Sequence, residues 1–130
     1  MINFKNKLDI SWSEAKIGIL GGGISGIAAA KLGRYMGAYI FISDSNDSPE
    51  TIEKMRDFDC ESGVHSNKIL DSDLVIISPG IPDSIPIIND CKCENIPIIS
   101  EIEFASWFTT SPILALTGSN GKTTTVNLLH

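Results

Sequence analysis

The sequence of 130 residues contains few cysteines, no cluster of basic residues and no long apolar run. Three cysteines, Cys60, Cys91 and Cys93, are an odd number without a Cys-x-x-Cys spacing, which points away from a disulfide framework and toward reduced thiols. The Cys91-Lys92-Cys93 pair has no histidine or second cysteine pair beside it to complete a metal site. Apolar stretches fall short of the ~18 residues of a bilayer span, and the opening MINFKNKLDISWSE lacks the apolar core of a secretory signal, so a cytoplasmic protein without a membrane segment is expected. Ten Lys and Arg stand against 16 Asp and Glu, giving a net charge of −6, and a nucleic-acid partner is not expected from such a surface. A phosphorylated ligand would have to be held by local devices such as helix N-termini. There is no internal repeat or low-complexity tract, and at ~100 to 200 residues per domain there is room for one complete domain.

What is present is a series of short apolar runs separated by helix-compatible segments. Residues 16–21 (KIGILG), 39–43 (YIFIS), 73–78 (DLVIIS) and 96–100 (IPIIS) are rich in β-branched residues and apolar on both faces, as parallel strands covered by helices require. A weaker strand is expected over residues 60–64, and a sixth over 113–117. Ile24, Ile27, Ala28, Leu32, Tyr35 and Met36 recur at helical spacing. Ser48-Pro49 opens a helix to about residue 58, Ser84 before Ile85-Pro86 a helix to about 95, and Ser100-Glu101-Ile102-Glu103 a capping box for a helix to about 108. The alternation predicts an α/β fold, a Rossmann-like doubly wound parallel sheet of about five strands with right-handed crossovers. Thr109-Thr110-Ser111-Pro112 reads as a linker between a domain over 1–108 and a further strand, loop and helix start over 113–130.

Two glycine loops carry the chemistry. Gly21-Gly22-Gly23-Ile24-Ser25-Gly26 matches GxGxxG directly after a strand and at the start of a helix, where glycines permit a tight turn and close approach to a diphosphate. Asp44 ends the second strand at roughly the ~20-residue spacing of a carboxylate that accepts hydrogen bonds from a nucleotide; the alternative is that it only caps a helix or turn. By itself this loop is compatible with NAD. Gly118-Ser119-Asn120-Gly121-Lys122-Thr123-Thr124 is the second loop. Its backbone N–H groups would cradle ATP phosphates, Lys122 would neutralise their outer oxygens, and the Thr123 hydroxyl would reach Mg²⁺. Leu116 stands where the longer GxxxxGK[ST] pattern has its first glycine, leaving GxxGKT.

This shorter loop after an apolar strand, LALTGSNGKTTT, resembles that of the Mur ligases, which extend the peptidoglycan stem peptide. The first glycine loop, SPGIP at 78–82 and SEIEF at 100–104 narrow the resemblance to the branch that adds D-glutamate to UDP-MurNAc-L-alanine. The resemblance runs from Lys16 to His130. It implies a first domain that binds the UDP end of UDP-MurNAc-L-alanine, with Gly23, Ile24, Ser25 and Gly26 at the diphosphate, Asp44 and Ser45 at the uracil end, and Gly80 at the sugar portion. It implies ATP over Gly118–Thr124, Lys122 and Thr123 as catalytic groups, Mg²⁺ on Thr123, and a monomer when the ligase is whole. Asn46 departs from the family, some of whose members carry Arg there. The metal-binding acids and histidine, a carbamylated lysine and the D-glutamate pocket are implied to lie past residue 130, so this extent of chain is expected to be inactive. His65 and His130 offer no catalytic base; His65 reads as a surface residue, and Trp12 and Trp107 as packing residues, with Trp107 also able to touch a neighbouring domain. A free-standing NAD module, a nucleotide-sugar sensor and another Mur ligase remain as alternatives.

Overall fold

A computed structural model describes residues 11–128. Its centre is a five-stranded, wholly parallel sheet in the order β3-β2-β1-β4-β5, with β1 Lys16–Leu20, β2 Tyr39–Asp44, β3 Asp59–Ser62, β4 Leu74–Ile77 and β5 Ile98–Ser100. The helices are α1 Ile24–Tyr35, α2 Pro49–Met55, α3 Pro86–Cys93, α4 Glu101–Ser106 and α5 Lys122–Leu128. Side chains alternate across each strand, so the two faces of the sheet build separate cores. Ile17, Ile19, Ile42, Leu74 and Ile76 join Ala29 and Ala30 of α1, Met55 of α2 and Phe104 of α4 on one face. Leu20 and Val75 meet Ile87, Ile88 and Cys91 of α3 on the other, together with Ile69 from a 3-10 turn over Asn67–Asp71. Burial of the Cys91 thiol, followed by the charge of Asp90, raises its pKa, and Cys93 faces outward; the pair does not share a site.

Capping follows the sequence with one exception. The Ser48 hydroxyl accepts the Thr51 N–H at 3.3 Å and the Ser100 hydroxyl accepts the Glu103 N–H at 3.1 Å. The third helix is not capped by Ser84: Pro86 is its first residue, which makes Ile85 the cap position, and Ile85 has no side-chain acceptor. Trp12 and Trp107 pack as expected, with the Trp12 ring 6.1 Å from Phe104 and 5.3 Å from Phe108.

The strand expected over residues 113–117 is not formed. A strand requires a neighbour for its N–H and C=O groups, and these residues pair with neither sheet edge, β3 or β5. From Thr109 to Leu128 no described residue is buried. No helix among the described residues is long and apolar enough to cross a membrane.

Candidate functional site

The strand order reverses between β1, whose successors run outward to β2 and β3, and β4, which lies on its other side. The crevice at the carboxyl ends of these two strands is where open α/β sheets bind ligands. Gly21 leaves β1 there and Ser78 leaves β4, tied to the strand ends by Gly21 N–H to Ser43 O at 2.9 Å and Ser78 N–H to Leu20 O at 3.0 Å.

The glycines of this loop answer to different demands. Gly21 has φ +106°, and a Cβ on it would stand 2.7 Å from Ser78 Oγ. On Gly26 a Cβ would lie 2.0 Å from the Gly21 carbonyl oxygen, so only hydrogen there lets α1 start against the turn. Gly23 and Gly80 are different: apart from their chain neighbours, no atom of the described residues lies within 4 Å of the corresponding point. Gly23 is also the cap of α1 and supplies no side-chain acceptor, and Ile24 and Ser25, the first two helical residues, are exposed. Their backbone N–H groups belong to the helix start, where no intrahelical partner exists. The result is an open, anion-seeking end of a 12-residue helix at the crevice.

Asp44 is placed by β2 beside this loop. One carboxylate oxygen accepts the Gly22 N–H at 2.6 Å and the other the Asn46 N–H at 2.8 Å, so its turn-capping role is realised. Asn46 accepts the Ser48 N–H at 2.9 Å through its side chain, and Ser45 is exposed between them. Across the crevice, Ile81 N–H closes a turn onto Ser78 O at 3.0 Å, which sets Gly80 at the rim.

Two groups of polar residues lay outside the site reading from sequence. Ser78 donates its hydroxyl proton to Glu101, so the SPGIP and SEIEF segments, distant in the chain, meet beneath the glycine loop. Glu101 is 9% exposed. The second group corrects the expectation for His65, which is half-buried, with Nδ1 2.7 Å from the hydroxyl of Ser43. Ser43 is fully buried and lies 2.7 Å from Glu61 Oε1, and Glu61 also accepts from Ser66 N–H at 2.7 Å and Ser66 Oγ at 2.5 Å. Burial pushes the Glu61 carboxyl up, but the hydrogen bonds from Ser66 and Ser43 outweigh it and hold the group below its ordinary 4.5. The Glu-Ser-Gly-Val-His-Ser run over 61–66 was a signal for such a cluster, but nothing in its spacing showed that it would reach Ser43.

The second loop stands apart on the exposed segment. Lys122 Nζ is turned onto the Gly118 carbonyl, and Thr125 donates both its N–H and its hydroxyl to Gly121 O at 2.9 Å. Lys122, Thr123 and Thr124 form the exposed first turn of α5.

A doubly wound parallel sheet with a diphosphate-type glycine loop at its switch point defines a Rossmann-like domain. Residues 15–100 match the family model described as Mur ligase MurD-like, N-terminal domain, and the chain belongs to that family. It is 45% identical over 115 residues to a UDP-N-acetylmuramoylalanine–D-glutamate ligase of Chloroherpeton thalassium, covering 85% of this chain and 25% of that one. To the enzyme of the same name in Christiangramia forsetii it is 47% identical over 119 residues, covering 88% and 27%. Among solved structures, the UDP-N-acetylmuramate-alanine ligase MurC of Thermotoga maritima superposes with a TM-score of 0.61 at 27% identity, over 71% of this chain and 22% of that one. The chain thus spans about a quarter of the length of the curated relatives it matches.

Proposed function

We propose that the chain forms the part of a MurD-type, ATP-dependent ligase that binds UDP-MurNAc-L-alanine, for amide formation with D-glutamate in peptidoglycan synthesis. The observation that carries this reading is the open start of α1 at the switch point, in a chain of this family. The N–H groups of Ile24 and Ser25 receive the diphosphate, Gly23 leaves room for its approach, and Gly26 keeps the helix start in place. Asp44 and Ser45 hold the uracil end. Asp44 can do so while capping the loop, since a carboxylate has about four lone-pair sites and two are in use. Gly80 faces the sugar portion from the opposite rim. The relatives' names favour D-glutamate as the second substrate over the alanine in the name of MurC.

The residues from Gly118 to Thr124 fit ATP and Mg²⁺. They offer an ammonium group, backbone N–H groups and hydroxyls, and no carboxylate occurs from Phe104 to Leu128. When bound, ATP with Mg²⁺ supplies the phosphoryl group that activates the alanine carboxylate. Lys122 would neutralise phosphate charge and Thr123 would offer its hydroxyl to the metal. Residues 1–108 are then the UDP-substrate domain, 109–112 the linker and 113–130 the start of the ATP-binding domain of a cytoplasmic, monomeric enzyme, with Trp107 near the contact between the two.

Calorimetric titration with UDP, UDP-MurNAc-L-alanine and NAD tests the assignment. Uridine ligands should bind and NAD should bind poorly; tighter binding of NAD would overturn it.

A further inference from the structure

Ser43 Oγ sits between two groups at equal distance, Glu61 Oε1 and His65 Nδ1, each 2.7 Å away, with the Val64 carbonyl at 3.3 Å. A serine hydroxyl has one proton and two lone pairs. Glu61 already accepts two bonds from Ser66, as an ionised carboxylate does. If Ser43 gave its proton to His65, its own lone pairs would face those of the ionised Glu61 at 2.7 Å in a fully buried position, a repulsive contact with no proton between the two oxygens. The hydroxyl must therefore donate to Glu61, and the imidazole must then donate to Ser43 from Nδ1.

The chain of donors ends on Glu61, and the same end of β2 accepts the N–H groups of the glycine loop. Ser43 lends its carbonyl to Gly21 N–H at 2.9 Å, and the next residue, Asp44, takes Gly22 N–H at 2.6 Å. Residues 43 and 44 thus carry the polar cluster on one face of β2 and the loop on the other.

We propose that His65 is a positioning residue for the glycine-loop site: it donates from Nδ1 to Ser43, Ser43 donates to Glu61, and this directed chain fixes the end of β2 from which Asp44 holds Gly22. The assignment deepens the reading of that loop as the uridine-diphosphate site and rests on it for its functional meaning, but its geometry is testable without ligand.

Nitrogen-15 spectra of the imidazole in the 130-residue chain should show His65 protonated at Nδ1 and bare at Nε2 when neutral. The amide shift and exchange protection of Gly22 report on the Asp44 bond. His65→Asn keeps a donor near the Nδ1 position and should leave the Gly22 amide as in the wild type, whereas His65→Leu should shift it and speed its exchange several-fold. UDP-MurNAc-L-alanine should bind roughly 3- to 10-fold more weakly to the Leu variant and near normally to the Asn variant, the range of one net hydrogen bond. An Nε2-protonated ring, or a Gly22 amide unmoved in His65→Leu, would overturn the proposal. Absence of uridine binding in the wild type would instead overturn the functional reading and leave the amide result to decide the positioning.

Discussion

Two alanine substitutions in one loop should produce opposite phenotypes. In Gly26→Ala the new methyl group would stand 2.0 Å from a backbone oxygen and 3.1 Å from its carbon, and backbone cannot swing aside as a flexible side chain can. Overpacking costs ~1–3 kcal/mol, and a contact of this kind belongs at the upper end. Alanine returns ~1 kcal/mol of helix propensity, because Gly26 lies within α1. The net loss is about 2 kcal/mol, or a fall in Tm of roughly 8 °C at ~4 °C per kcal/mol for a chain of this size. Gly23→Ala meets no atom of the described residues within 4 Å beyond its chain neighbours, and its φ of −69° and ψ of −176° suit alanine, so beyond ~1 kcal/mol for a poorer helix cap its stability should hold. On the proposed reading its methyl group enters the space where the diphosphate approaches, and UDP-MurNAc-L-alanine affinity should fall about tenfold or more, equivalent to ~1.4 kcal/mol. Urea denaturation and calorimetry on the two proteins separate the effects. A Gly26→Ala protein as stable as the wild type, or a Gly23→Ala protein with unchanged affinity, would refute the division of the loop into a structural glycine and a ligand-facing one.

Asp44→Ala removes the acceptor of two loop N–H groups and should weaken uridine-ligand binding while accelerating amide exchange at Gly22 and Asn46. For Glu61, whose pKa is lowered by folding, the stabilisation is present above its ordinary 4.5 and disappears as pH falls through the lower folded value; the stability gap between wild type and Glu61→Gln should therefore close in acid, as read from urea midpoints between pH 7 and about pH 3. The 130-residue chain should release no phosphate from ATP with Mg²⁺, UDP-MurNAc-L-alanine and D-glutamate, because Lys122 and Thr123 sit on an exposed segment with no group of metal-ligating side chains among the described residues; turnover would place the catalytic groups within this chain.

The sheet was legible in the sequence because its signals are local. Ile17, Ile19, Ile42, Leu74 and Ile76 lie in short β-branched runs bounded by glycine, serine or proline, and such runs become buried parallel strands whichever neighbours they find. The first loop was legible for the same reason, since GxGxxG needs nothing beyond the strand before it and the helix after it. Relationships that depend on pairing were not. Residues 113–117 have the composition of a strand, yet a strand is defined by a partner, and neither edge of this sheet supplies one. His65 looked like a surface residue because its contact with Ser43 exists only after β3 pairs with β2 and brings Glu61 opposite Ser43. Ser78 and Glu101 were visible as motif residues, but their bond depends on the pairing of β5 with β4, which sets Ser100 opposite Ile77.

The charge of the site leads to an expectation that runs against ordinary anion binding. The net charge of −6 opposes the approach of a nucleotide diphosphate, and the nearby carboxylates Asp44, Glu61 and Glu101 are engaged by N–H and O–H donors, with no ion-pair contact to any of them among the described residues and only the more distant charge of Lys68 acting on Glu61. Attraction must come from the first N–H groups of α1, which act within about one helical turn, while the repulsion acts over the whole molecule. Salt screens the second more than the first, because the Debye length falls from ~30 Å at 0.01 M to ~10 Å at 0.1 M while the contacts at the helix start are a few ångströms long. Uridine diphosphate should therefore bind this chain as tightly or more tightly at 0.1 M salt than at 0.01 M, by less than about tenfold. A loss of affinity with salt, measured by calorimetry at the two ionic strengths, would mean that lysine or arginine side chains hold the phosphates, and the open helix start would not be the site.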